Sequence, residues 1–178
     1  MTEQEFVRTP TIPSQNYQQS SSNNVSNKEL RFNRGISFRS MKFHLSCGRH
    51  AEIAQGGNSL DTNRCVASRN GEEFSQGYVF SQETIHPGER IVIQVLSTEL
   101  SYIGSLAFGL TNCDPSSIDL RELPEDSDLL LDRPEYWVVS KDVANNPDVG
   151  DELSFSINVD GSVEFSKNGN MPSAFVSS

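Results

Sequence analysis

From Met41 onward no stretch keeps a helical spacing of apolar residues over ten or more positions, whereas short runs alternating apolar and polar side chains recur throughout. Alternation at period two gives a strand one apolar face, and that face must be covered by a second layer. The clearest run is Leu153, Phe155, Ile157 and Val159, with Ser154, Ser156 and Asn158 between them. Asp160-Gly161 follows, and Val163 and Phe165 resume the apolar face. Asp-Gly between two alternating runs is the favoured two-residue hairpin turn. A hairpin is therefore predicted here, and Asn168-Gly169 marks a further turn.

Other runs fit the same scheme. Ile91, Val92, Ile93, Val95 and Leu96 are apolar on both sides and predict a central strand. Leu106, Phe108 and Leu110 alternate with the small residues Ser105, Ala107 and Gly109, and Arg133-Pro134 opens a strand at 136–139. Weaker strands are expected over 41–47, 51–54, 64–68 and 78–81. Nine or so strands with turns at this spacing indicate an all-β fold, an antiparallel β-sandwich of SPRY-like or jelly-roll-like type, with a closed barrel as the alternative.

The chain has 178 residues, enough for one domain plus a tail. Residues 11–28 hold twelve Ser, Gln or Asn in eighteen positions and show no periodicity. Such a segment cannot offset its ordering entropy, so residues 1–40 are expected to form a disordered leader and the domain to occupy 41–178. The mixed basic and aromatic stretch from Leu30 to Arg39 reads as the linker into the domain. Charge divides along the same boundary: residues 1–42 carry six basic and three acidic side chains, residues 43–178 eight and twenty-one. So acidic a body repels phosphate backbones and argues against nucleic-acid binding. No apolar run reaches the ~18 residues of a membrane-spanning helix. No secretory leader is visible, and three cysteines are too few for a disulfide scaffold. A reduced, cytoplasmic protein is the expectation.

His44, Cys47 and His50, with Cys65, suggest a metal set. Their spacing fits no usual zinc pattern, and the expected reading is a buried cysteine with exposed histidines. No nucleophile elbow, Walker loop or zinc-protease helix occurs, so nothing points to catalysis and no cofactor is implied. Residues 114–135 form a long segment with eight acidic and two basic side chains. It lacks the ligand spacing of a calcium loop. Its Leu129-Leu130 resembles an acidic dileucine signal, but the leucine run is expected to be pinned as core beneath the segment. The segment reads as an acidic surface that selects basic partners. Trp137 is expected in the core, and Arg133 and Glu135 on the surface.

Several stretches together resemble a known family. They include Phe43-His44, Asn63-Arg64, residues 78–81, 89–95 and 104–111, Asn112-Cys113-Asp114-Pro115, Leu123-Pro124, residues 132–137 and the hairpin strand around Phe155. In this order they resemble the neuralized homology repeat, in detail the second repeat of Neuralized-type ubiquitin ligases, over about residues 41–170. The resemblance implies a SPRY-like sandwich that recognises protein partners and has no catalytic role of its own. Full-length relatives are RING-type E3 ligases that act on Notch ligands and promote their endocytosis; this sequence has no paired C-x-x-C of a RING. Implied partners are intracellular tails of Notch ligands and Bearded-type inhibitors, met at the plasma membrane or endosomes, with membrane association at most peripheral. The chain stops at residues 172–178, before the family's closing pattern, so the closing strands are expected to be missing from the 41–178 domain. Binding is expected at end loops carrying Asn63, Arg64, Tyr102, Arg133, Glu135 and Tyr136. A lectin-like carbohydrate-binding sandwich is the alternative.

Overall fold

The computed structural model describes residues 4–8, 10–11, 30–32, 38–54, 64–70, 75–98, 105–145, 147–170 and 173–175; of 4–8, 10–11, 105, 138–145 and 173–175 it describes the backbone alone. In chain order the strands are β1 (Gln4–Arg8), β2 (Pro10–Thr11), β3 (Arg39–Ser40), β4 (Phe43–Cys47), β5 (Ala51–Ile53), β6 (Val66–Arg69), β7 (Val79–Ser81), β8 (Arg90–Gln94), β9 (Ser105–Thr111), β10 (Tyr136–Asn145), β11 (Glu152–Ile157), β12 (Val163–Lys167) and β13 (Ser173–Phe175). Among the described residues helix is confined to two short 3₁₀ turns, Pro115–Ser117 and Ser127–Leu130. The all-β reading of the sequence is therefore correct.

One nine-stranded antiparallel sheet runs β13-β12-β11-β8-β1-β6-β5, with β2 and β3 attached beside β8. Two smaller pairs, β9–β10 and β4–β7, are antiparallel as well. As the doubly apolar run predicts, β8 lies inside the large sheet, paired to β11 on one side and to β1 and β2 on the other. Val92 at its centre is fully buried.

The small pairs cover one face of the large sheet. Val95, Leu153 and Phe155 form a core cluster joined by Leu106 and Phe108 of β9. The Phe108 and Phe155 rings stack with centroids 3.8 Å apart and planes 10° from parallel. Phe43 of β4 packs on Ile53 and Ala67 of β5 and β6. Ile93 touches both clusters, so the two small pairs share one core layer. Burying a side chain of this size stabilises by about 1.5–3 kcal/mol, which makes this layer the main source of stability.

The predicted hairpin forms, but its turn is longer than two residues. Ile157 pairs with Val163, Asn158 N–H donates to Ser162 O at 2.8 Å, and Gly161 N–H donates to Asn158 O at 3.0 Å. Gly161 then takes a left-handed φ of 86°. This is the three-residue hairpin loop closed by a left-handed glycine, and it lifts Val159 out of the apolar face to 89% exposure. At Asn168-Gly169 both residues have positive φ, 56° and 68°, and Asn170 N–H closes the turn on Lys167 O at 3.1 Å. Here the two-residue geometry holds.

Two further differences concern length and position. β10 runs six residues beyond the predicted Val139, because β9 continues to pair with it as far as Asn145. β1 and β2 arise within residues 1–40, where composition predicts disorder. They precede most of the Ser/Asn/Gln-rich stretch and gain ladder partners in β6 and β8 that no local pattern reveals.

Candidate protein-recognition surface

Residues 114–135 fold as a compact cover over a satellite core. Leu123, Leu130 and Tyr136 are buried together, and Tyr78, Phe80, Ile118 and Leu120 pack around them. Local polar groups shape the segment. The Asp114 carboxylate accepts the Ser116 N–H at 2.8 Å and caps the first 3₁₀ turn. The Asp126 carboxylate accepts the Asp128 N–H at 3.0 Å and caps the second. Aspartate at such a cap satisfies an N–H that the turn leaves open. The Ser116 N–H bond holds the Asp114 carboxyl below the usual carboxylate range.

Side chains of the segment leading into β7 fix the cover in place. Gln76 Nε2 donates to Leu123 O at 2.9 Å, and Tyr78 Oη donates to Pro124 O at 2.8 Å. Gln76 has a left-handed φ of 51°, and its carbonyl accepts from His50 N at 3.2 Å. Burial, with Asp126 adding to it, pushes the Tyr78 phenol up to about 12. It remains a proton donor throughout the neutral range.

The outer side of this cover differs from the expectation. Only Leu130 of the three leucines is core; Leu129 and Leu131 are 57% and 60% exposed. A short 3₁₀ turn spreads its side chains around the axis, so one buried leucine turns its neighbours outward. Trp137 is 43% exposed rather than core. Strand alternation explains it: Tyr136 points into the satellite core, so the next residue points away. Glu125, Asp126 and Asp132 are exposed in the same segment. Arg121 is occupied by Asp119, through bonds of 2.9 and 2.7 Å, and holds that carboxyl down at about 2. Leu129 and Leu131 thus protrude from a segment rich in carboxylates, and Trp137 is exposed on the strand that follows it.

The six candidate binding residues fall in different places. Asn63 and Tyr102 lie outside the described residues. Arg64 has a left-handed φ of 64°, donates from Nη1 to Gln82 Oε1 at 2.7 Å, and accepts the Phe43 N–H at its carbonyl, beside the start of β4. Arg133, Glu135 and Tyr136 are brought together in one turn, closed by Tyr136 N–H on Arg133 O at 3.1 Å. Arg133 Nη2 donates to Glu122 O at 2.8 Å, and Thr111 Oγ1 donates to Glu135 O at 2.9 Å. Tyr136, 9% exposed, supports this turn from below. Leu129, Leu131 and Trp137 were outside the expected set; the signal for them is the alternation around Tyr136 and the single inward leucine.

The suspected metal set is dispersed. His44 Nδ1 accepts from Ser46 N at 3.0 Å, His50 Nδ1 faces Ser75 O at 2.9 Å, and Cys47 Sγ lies 3.3 Å from Ala51 O. Cys65, 8% exposed, is buried just before β6. His44 Nε2 also approaches Ser116 Oγ at 3.2 Å. Because Nδ1 accepts, a neutral His44 carries its proton on Nε2 and donates it to the serine. A histidine in that state is no base for Ser116.

The family model described as Neuralized matches residues 43–178. Protein neuralized of Drosophila melanogaster is 47% identical over 139 residues, covering 78% of this chain and 18% of that protein. The human E3 ubiquitin-protein ligase NEURL1B is 41% identical over 111 residues, covering 62% of this chain and 20% of its own length. The human E3 ubiquitin-protein ligase NEURL3 is 39% identical over 75 residues, covering 42% of this chain and 28% of its own. The chain thus spans less than a third of each of these relatives. No solved structure matches. With the family model matching all of the body from Phe43 onward, the chain belongs to the Neuralized family.

Proposed function

We propose that this domain is a non-catalytic protein-recognition module of a Neuralized-type E3 ubiquitin ligase, which brings partner proteins to the ligase. The observation that carries this reading is the exposure of Leu129 and Leu131 among the carboxylates of residues 114–135, with Trp137 exposed just beyond that segment. Apolar anchors supply affinity once desolvated, and the surrounding charge selects the partner and speeds encounter. Arg133 and Glu135 rim this surface, while Tyr136 sets the turn that presents them. Intracellular tails of Notch ligands and Bearded-type inhibitors are the proposed partners, met in the cytoplasm at the plasma membrane or endosomes.

Calorimetric titration of the whole chain with peptides from those tails tests the proposal. Binding that weakens at least tenfold in Leu131→Ser/Trp137→Ser, and falls with added salt, is expected. Unchanged binding in that variant would remove this surface from the function. A glycan array run beside it addresses the lectin reading, and sugar binding without peptide binding would replace the proposal.

A further inference from the structure

Three successive carbonyls of the cover each accept from a side chain that lies elsewhere in the sequence. Arg133 Nη2 donates to Glu122 O at 2.8 Å, Gln76 Nε2 to Leu123 O at 2.9 Å and Tyr78 Oη to Pro124 O at 2.8 Å. The main chain over 122–124 is thus held by directional bonds, in addition to the burial of Leu123 beneath it.

Gln76 is the unusual member of this clamp. It is 9% exposed and takes a left-handed φ of 51°. A side chain is strained in that conformation, and a glycine would not be. The main-chain role of the residue, accepting the His50 N–H at 3.2 Å, needs no side chain. What glutamine adds at this position is the amide on Leu123 O.

Only Glu125 separates the clamped carbonyls from Asp126, which caps the second 3₁₀ turn. That turn is one linked unit. Leu129 N–H donates to Asp126 O at 3.2 Å, Leu131 N–H to Asp128 O at 3.0 Å and Arg133 N–H to Leu130 O at 3.0 Å. Arg133 then returns to Glu122 O and closes residues 122–133 into a ring. A shift at Leu123 or Pro124 therefore passes to Leu129 and Leu131.

We propose that Gln76, seconded by Tyr78, is the positioning residue of the recognition surface. By fixing the carbonyls of Leu123 and Pro124 they set the angle at which Leu129 and Leu131 are presented. This inference rests on the recognition role proposed above for those leucines. Packing of Leu123 and Leu130 is non-directional, so it holds the cover down without fixing that angle. Gln76 is buried and acts through the cover, not by touching the partner.

The test compares three variants of the whole chain. Gln76→Asn suits the left-handed backbone, but its amide is one methylene shorter and stops short of Leu123 O. Tyr78→Phe removes the neighbouring donor and keeps the ring, so the test survives a Gln76 variant that does not fold. Ile53→Val loosens the separate core cluster around Phe43 and leaves the cover alone. Calorimetry uses the Notch-ligand tail peptides as probes, at a temperature where melts show each variant folded. Affinity should fall about fivefold in Gln76→Asn and in Tyr78→Phe, the worth of one ordinary hydrogen bond, and stay at the wild-type value in Ile53→Val. Losses that track the melting temperature across all three would make the clamp merely structural and overturn the proposal. Methyl NMR of Leu129 and Leu131 supplies a readout that needs no partner. Their signals should shift in Gln76→Asn and Tyr78→Phe but not in Ile53→Val, and unshifted signals would overturn the positioning role even where peptides bind. If the wild type binds none of the peptides while the leucine signals shift as expected, the recognition reading fails and the clamp stands.

Discussion

The phenol of Tyr78 donates to the carbonyl of Pro124 across 2.8 Å, tying the segment that leads into β7 to the middle of an acidic segment 46 residues later. The same ring packs on Leu123, Leu130 and Tyr136. Tyr78→Phe keeps the packing and deletes the bond. A net loss of about 0.5–1.5 kcal/mol is expected, as for an ordinary neutral hydrogen bond. Urea unfolding should show a lower midpoint with an unchanged slope. Amide exchange should rise locally over residues 123–131, where the cover loses an anchor, and not in β8.

Adjacent leucines separate stability from recognition. Leu130 is 6% exposed and Leu131 60%. Leu130→Ala is expected to destabilise by about 2–5 kcal/mol, the usual range for a leucine removed from a core. Leu131→Ala, on the surface, should stay within about 0.5 kcal/mol of wild type. Thermal melts of both variants decide the matter, and equal losses would mean that the cover sits differently on its core.

Much of the fold is legible in the sequence because strand signals are local. The doubly apolar run at Ile91-Val92-Ile93 marks a central strand, and Asn168-Gly169 marks a turn requiring positive φ at both residues. The misplacements involve hydrogen bonds and packing that the alternation pattern does not encode, some of them to distant partners. Asp160-Gly161 looks like a two-residue turn, but pairing of Asn158 with Ser162 lengthens the loop. Trp137 looks like core by its size, yet Tyr136 takes the inward position because the acidic segment folds back over it. β1 carries little pattern of its own and is defined by the ladders of β6 and β8. Of the candidate site, the charge of residues 114–135 is plain in the composition. Which leucines protrude depends on the 3₁₀ turn that Asp126 caps, and no periodic pattern encodes that.

Gly48 is a point where the second layer is held together by close backbone approach. Its N–H donates to Tyr78 O at 2.7 Å, and a Cβ added to it would lie 2.1 Å from Gln76 O and 2.7 Å from Tyr78 N. Both obstacles are main-chain atoms and cannot rotate aside. Gly48→Ala must push β4 from the segment leading into β7, and with it Gln76, whose side chain holds Leu123. A loss of about 1–3 kcal/mol is expected, as for other overpacked sites. Chemical unfolding measures it, and a neutral result would mean that the two segments lie farther apart than described.

The last prediction concerns acid. Lys167 Nζ lies 2.6 Å from Asp151 Oδ2, with the Asp151 side chain 8% exposed. Burial alone would raise this carboxyl. The bonds from Lys167, from Asn168 and from the Asp148 N–H outweigh it and hold the carboxyl below its usual range. A carboxylate depressed in the folded state stabilises fully above its unfolded value of about 3.9, and that contribution disappears as pH falls through the folded value. Asp151→Asn keeps the shape and removes the charge. At pH 7 it should cost about 1.5–3 kcal/mol, the range for hydrogen bonds to a charged group. The gap between the melting temperatures of wild type and variant should hold from pH 7 to pH 5 and close only below about pH 4. A gap that instead closed between pH 7 and pH 5 would assign the stabilisation to a group titrating near neutrality, and not to Asp151.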